Sequence, residues 1–200
     1  MDMAVSVEEP VQRIAARRYP PGDLALWIFI LAELLVFGVF FAAYAFTRAQ
    51  HVELFNTYQA TLDRNSALAN TLVLITASYF VVRAIGAIRT GRVRGASGWL
   101  WAAVGMAALF LLIKGAEYAH HLSLGINLST NTFYMFYLSL TFFHFMHVIM
   151  GMVILGAVAL KTHRGSYSAE QHTGVETGAS YWHMVDLVWL ILFPLVYVMR

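Results

Sequence analysis

A handful of ionisable residues stand inside otherwise apolar stretches of this 200-residue chain, and their types and spacing limit the chemistry open to it. Glu33 follows about nine apolar residues and has Phe29, Phe37 and Phe40 for company. A carboxyl there handles protons, faces a lipid headgroup, or bonds to a neighbouring helix. His144 and His147 are three residues apart, which puts them on one face of a helix and opens metal or haem ligation as a reading. A haem-binding bundle also needs histidines at matching depth on a facing helix, and only His183 lies as deep, so hydrogen bonding between helices is the preferred role. His183 and Asp186 repeat that spacing beside Tyr181, Trp182 and Trp189. Such a pair forms a proton relay or a buried contact that pins helix register, and the second is preferred. Glu117-Tyr118-Ala119-His120 reads as one half of a carboxylate di-iron site, but no second Glu has a His three residues on. The expectation is that Lys114 snorkels to the membrane surface and pairs with Glu117, with no metal site in this chain.

These groups must be positioned by elements that live in lipid. The chain is 60% hydrophobic and 12% charged, about half the charge of a soluble domain. The 13 Lys and Arg and 11 Asp and Glu are too few to clothe a water-exposed surface. Runs of about 20 apolar residues span a bilayer core of roughly 30 Å as helices. Such runs cover Leu24 to Thr47, Ser66 to Ile88, Gly98 to Tyr118, Phe133 to Leu160 and Ala179 to Met199. Because backbone polar groups have no partner in hydrocarbon except one another, continuous runs predict helices and argue against a barrel. The expected fold is therefore all-α, a polytopic membrane protein of five transmembrane helices. A polar tail over residues 1–22 precedes a single embedded domain over 23–200, and Asp23 is placed to cap the first helix.

Nine of the 13 Lys and Arg fall on one side if the N-terminus is inside, among them Arg83, Arg89, Arg92 and Arg94, which predicts N-terminus in and C-terminus out. The first apolar run is too long for a cleaved signal peptide, and none is expected. With no cysteine, disulfides, thiolate metal sites and thiol nucleophiles are excluded. The eight histidines lack the clusters of a membrane di-iron hydroxylase or desaturase, and a small transporter would call for an inverted repeat that is not visible. A small haem- or di-iron-binding membrane oxidoreductase is the rival from another class.

Several segments, taken in order, resemble subunit III of the haem-copper terminal oxidases, the cytochrome c oxidase type. Tyr181-Trp182-His183-Met184-Val185-Asp186-Leu187-Val188-Trp189-Leu190 resembles that family's C-terminal signature. Phe29-Ile30-Leu31-Ala32-Glu33 with Phe37 is similar to the helix that carries its membrane-buried glutamate. Asn70-Thr71 with Leu74 and Ser78, Glu117-Tyr118, His144-x-x-His147-Val148 with Gly151, and Gly174-x-Glu176 are similar to its other motifs. The chain resembles a short, five-helix form of a seven-helix family. Phe142 and Phe145 stand where glycines are usual and Lys114 where a glutamine is usual, departures that look like the branch accompanying nitric oxide reductases.

The resemblance implies an accessory, non-catalytic subunit in aerobic electron transport, multi-pass in a bacterial inner membrane. It implies haem and copper in partner subunits and none here, packing against the catalytic subunit, phospholipid binding, and support of stability and proton uptake. Glu33 is then expected to face a lipid-lined interior, while His144, His147, His183 and Asp186 tie helices together. Arg83, Arg89, Arg92 and Arg94 are expected at anionic headgroups, each worth roughly 1 kcal/mol.

Overall fold

A computed structural model describes residues 24–199. The tail over 1–22, the capping role given to Asp23, and Arg200 lie outside the described residues. The described chain is helical, in the order α1 (Leu24–Gln50), α2 (Val52–Gln59), α3 (Arg64–Arg89), α4 (Val93–Ser123), α5 (Thr132–His163) and α6 (Thr173–Phe193), followed by a π-helical turn over Pro194–Val198. Five helices are long and apolar enough to cross a membrane: α1, α3, α4, α5, and α6 together with its π turn.

Four of them close a ring, with α3 on α4, α4 on α5, α5 on α6 and α6 back on α3. The sequence dictates this through a heptad-like stripe on each helix. Ala96, Leu100, Ala103, Ala107 and Phe110 alternate spacings of four and three along α4, and all are buried. Phe133, Tyr137, Leu140, His144, His147, Gly151, Leu155, Val158 and Thr162 follow the same threes and fours on α5, with two fours in succession at Gly151. On α6 the stripe is Val175, Gly178, Trp182, Val185, Trp189 and Leu192. A repeat near 3.5 residues holds one seam toward the bundle axis. Small residues on α3 and α4 let backbones approach, and Trp182 and Trp189 on α6 fill the space that remains.

Helix α1 lies outside the ring. Its buried residues, Ile30, Phe37 and Tyr44, fall seven apart and form a single seam. Phe29 stacks on Tyr181 of α6, and Phe37 and Phe40 pack against Phe143 of α5.

The helix ends follow local rules. Asp63 Oδ1 accepts from the amides of Asn65 and Ser66 at 3.0 and 3.2 Å to start α3, and Asn131 Oδ1 accepts from the Tyr134 amide at 2.9 Å to start α5. Helices α3, α4 and α5 each stop at a glycine with φ between 74° and 76°, namely Gly91, Gly125 and Gly165. At each of them paired backbone bonds close a Schellman motif, as in Arg92 N–H to Ala87 at 2.9 Å and Gly91 N–H to Ile88 at 2.9 Å. In the loop before α6, a hydrogen bond from the Ser168 hydroxyl holds the exposed Glu170 carboxyl below its ordinary range.

Three features depart from the expected spans. Helices α4 and α5 run to 31 and 32 residues, longer than the apolar runs, because their ends carry interfacial residues beyond the hydrocarbon. Helix α6 starts six residues early, at Thr173. The link between the first two spans holds the amphipathic helix α2, whose Phe55 and Gln59 are buried and whose Phe55 meets Tyr44 and Phe133 edge-on. Eight residues were too short and too polar to register as an apolar run.

Gly151 marks a close approach between two ring helices, since a Cβ there would stand 3.0 Å from Cε3 of Trp182. Gly151→Val is expected to destabilise the chain by about 1–3 kcal/mol through overpacking. Gly105→Val, where an added Cβ meets nothing within 4 Å, serves as the comparison. Thermal unfolding of the two purified variants in one detergent checks this, and equal midpoints would contradict the described packing.

Candidate functional site

The deep polar groups form three separate layers, and each joins two or more elements. The first is held by α1 and α5. His147 Nε2 lies 3.0 Å from Glu33 Oε2, and His147 Nδ1 lies 2.8 Å from the carbonyl of Phe143. A carbonyl only accepts, so Nδ1 carries a proton. The Nε2–Oε2 contact then needs a second proton, shared between imidazole and carboxyl. The pair is thus neutral overall, whether that proton rests on the imidazole or on the carboxyl. Phe37 and Phe143 wall it, with ring centroids 5.2 and 4.7 Å from the imidazole.

The second layer joins α3 to α6. The Ser78 hydroxyl donates to Asp186 Oδ2 at 2.7 Å, and the Trp189 indole N–H donates to Thr71 Oγ1 at 2.9 Å. His144 enters this layer from α5. Its imidazole lies stacked on Trp189 with centroids 5.0 Å apart and meets the edge of Phe110 at 5.7 Å. Neither ring nitrogen has a hydrogen-bond partner among the described residues, so His144 ties helices by stacking and not by the hydrogen bonding expected of it. His144 and His147 therefore do not converge, because about 60° of helical rotation turns one toward α6 and the other toward α1. The same rotation parts His183 from Asp186. Asp186 faces α3, whereas His183 lines a groove toward α1 with Trp27, Ile30 and Leu34. Among the described residues no hydrogen bond joins His183 to Asp186.

The third layer corrects the reading of Lys114. Its side chain does not snorkel: it has no exposed surface. The ammonium donates to Glu117 Oε1 at 2.9 Å, to the Tyr137 hydroxyl at 3.2 Å and to the Tyr197 hydroxyl at 2.5 Å. The Tyr137 hydroxyl also donates to Glu117 Oε1, and the Tyr197 hydroxyl does so at 3.0 Å. Rings of Tyr118, Tyr137 and Tyr197 lie 5.0–5.2 Å from the ammonium. His121, not His120, approaches this cluster, its Nε2 lying 3.5 Å from the Tyr137 hydroxyl. His120 is exposed.

The sequence alone does not single out Tyr137 and Tyr197, because tyrosines in apolar runs read as core, nor His121, which stands beside His120 past the end of the apolar run. The available signal was the α4 stripe itself. Continued past Phe110 by four, three and four, it lands on Lys114, Glu117 and His121. Tyr197 reaches the cluster because Pro194, lacking an amide hydrogen, opens a π turn that rotates the last residues inward.

At the other end of the bundle, Arg89 Nη2 pairs with Glu176 Oε1 at 2.7 Å, with His172 Nε2 3.3 Å from the same oxygen. Arg83 lies over the ring of Trp99 with its Cζ 5.3 Å from the centroid, and Arg92 Nε donates to Thr90 Oγ1 at 3.1 Å. Arg94 is exposed. Among the described residues no three His, Asp or Glu side chains come together as a metal site.

Fold and layers together define a polytopic helical membrane protein whose buried polar groups bond one helix to another. The profile of the family "Cytochrome c oxidase subunit III" matches residues 22–200. This chain belongs to that family. It is 37% identical over 177 residues to cytochrome c oxidase subunit 3 of Thermostichus vulcanus, covering 88% of this chain and 86% of that one. It is 32% identical over 173 residues to the subunit 3 of Synechocystis sp., covering 86% and 73%. A haem-copper oxidase subunit I+III of Aeropyrum pernix is 32% identical over 180 residues, covering 86% of this chain and 22% of that longer protein.

The Lys114–Glu117 pair makes a sharp energetic prediction. Lys114→Met leaves Glu117 as an uncompensated buried carboxylate and is expected to cost about 3–5 kcal/mol. Adding Glu117→Gln removes that charge, so the double variant should unfold at a higher temperature than Lys114→Met alone. A double-mutant cycle on the purified chain measures this, and simple additivity would refute the coupling.

Proposed function

We infer that this chain is the accessory, non-catalytic subunit of a respiratory haem-copper oxidase of the cytochrome c oxidase type. The single observation that carries the reading is the family match across residues 22–200. The Aeropyrum pernix relative, whose name covers subunits I and III together, supports a catalytic subunit I as the partner against which this chain packs. Haem and copper are assigned to that partner, and no cofactor to this chain. The relatives' names favour an oxygen-reducing complex over the nitric oxide reductase branch. We place the protein in a bacterial inner membrane with its N-terminus inside. Arg83, Arg89, Arg92 and Arg94 then lie at the inner leaflet, where basic groups draw anionic headgroups.

The chain's own contribution is cohesion and proton handling. The Ser78–Asp186, Thr71–Trp189, Lys114–Tyr137 and Lys114–Tyr197 contacts hold the ring closed. The Glu33–His147 contact sits on the outlying helix α1, where a carboxyl and an imidazole together can take up one proton as they release another and so stay neutral.

Purification through a tag on this chain in mild detergent is expected to bring subunit I and a haem spectrum with it. The chain freed of its partners should be colourless, with metal far below one per chain. One haem per isolated chain would overturn the assignment. Glu33→Gln is expected to leave assembly and haem content intact while slowing proton uptake or shortening the lifetime of turnover. Loss of assembly in that variant would contradict the proton-handling role, and unchanged uptake and lifetime would reduce Glu33 to a structural tie.

A further inference from the structure

Where α3 ends and α4 begins, the two helices leave a groove of about 450 Å³. Val82, Arg83 and Gly86 line it from α3, and Arg92, Gly95 and Trp99 from α4. The two glycines differ from those that serve packing. A Cβ at Gly86 would meet nothing within 4 Å, and one at Gly95 only Arg92 Cβ at 3.9 Å. At Gly151 the added atom would press on Trp182 at 3.0 Å. The glycines of the groove hold open a space that the helix contacts do not require.

Two cations face this space with their donors largely unspent. Arg83 is steadied by the faces of Trp99 and Tyr79, its Cζ 5.3 and 5.9 Å from their centroids, and Nη1 donates to the Tyr79 hydroxyl at 3.5 Å, which leaves the other guanidinium N–H groups free. Arg92 gives up only its Nε–H, to Thr90. Carboxylates that might neutralise them are engaged elsewhere among the described residues: Glu176 with Arg89, Asp186 with Ser78, Glu33 with His147. The α4 N-terminus also opens here, with no side-chain cap. Val93 N–H is spent on the Gly91 carbonyl at 3.0 Å, and the positive end of the helix dipole adds to the same field.

The surroundings state the kind of anion. Trp99 and Tyr79 are the residues that settle at headgroup level. From Val82 in the groove, Tyr79, Ile75 and Leu72 continue an exposed stripe along α3 toward the middle of the helix. A ligand here has a phosphate at one end and an acyl chain at the other.

We propose that the groove between α3 and α4 is a discrete binding site for the phosphate of an anionic glycerophospholipid, held by Arg83 and Arg92 with an acyl chain along the α3 stripe. The proposal rests on the headgroup contact described under the function and narrows it from four arginines to two. A guanidinium meets a phosphate oxygen pair through two parallel hydrogen bonds, which a diffuse basic surface does not provide.

Native mass spectrometry of the full chain, titrated with phosphatidylglycerol, with phosphatidylcholine of the same acyl chains and with inorganic phosphate, tests it. One phosphatidylglycerol should bind in preference to phosphatidylcholine. Arg83→Gln with Arg92→Gln should weaken it about tenfold or more, as two phosphate-facing arginines imply. Gly95→Leu, which fills the groove and keeps every arginine, should do the same, whereas Arg94→Gln should not. Matching unfolding temperatures show that the variants fold, and the arginine pair decides the matter if Gly95→Leu does not. If all arginine variants weaken binding alike and Gly95→Leu leaves it unchanged, the diffuse contact stands and the site falls. No preference in the unaltered chain refutes both. Displacement of the lipid by equimolar inorganic phosphate overturns the lipid as occupant.

Discussion

An ammonium with no exposed surface survives in a bilayer only when each of its N–H donors is spent on a protein acceptor. Lys114 meets that condition with Glu117, Tyr137 and Tyr197, drawn from α4, α5 and the π turn. The arrangement sets the rest of this end of the bundle. The π turn must exist to deliver Tyr197, α5 must present Tyr137 at the matching height, and the α4 stripe must hold its register through Phe110 to reach both. Any slippage would strand a charge among aromatic rings, at a cost that exceeds most single packing contacts.

The same constraint, no water at depth, explains why the three polar layers are built differently. The third layer is an ion pair caged by tyrosines. The middle layer uses neutral donors and one carboxyl, with His144 contributing a ring face instead of a nitrogen. Of the three, the Glu33–His147 contact lies on a helix outside the ring. The proton exchange proposed for it requires a reachable group, whereas a group that holds helices together does not.

Much of the architecture was legible in the residues. Runs of 20 apolar side chains announce spans because the bilayer thickness fixes their length, and five were found where the sequence predicts them. Direction was harder. A spacing of three says that His144 and His147 share a broad face, yet a sector 60° wide is enough to aim them at different helices. Lys114 was misread because a long cation near a helix end usually reaches for water. The heptad stripe of α4 carried the opposite message, legible only once the buried positions were known to continue to its end. Helix α2 left no mark, because amphipathic segments of eight residues draw their stability from what they cover, here Tyr44 and Phe133.

The thin seam of α1 also bears on how the chain is made. Synthesis proceeds from the N-terminus, so α1 enters the bilayer before α5 and α6 exist to receive Ile30, Phe37 and Tyr44. Glu33 waits 114 residues for His147, and during that interval its insertion penalty of roughly 2.5–3.5 kcal/mol must be met by its own helix. Helix α1 is the most apolar of the five spans, and the leucines, valines and phenylalanines on its unburied faces supply that margin. The surface that looks idle in the finished bundle is what lets its first helix stand alone while the others are still being translated.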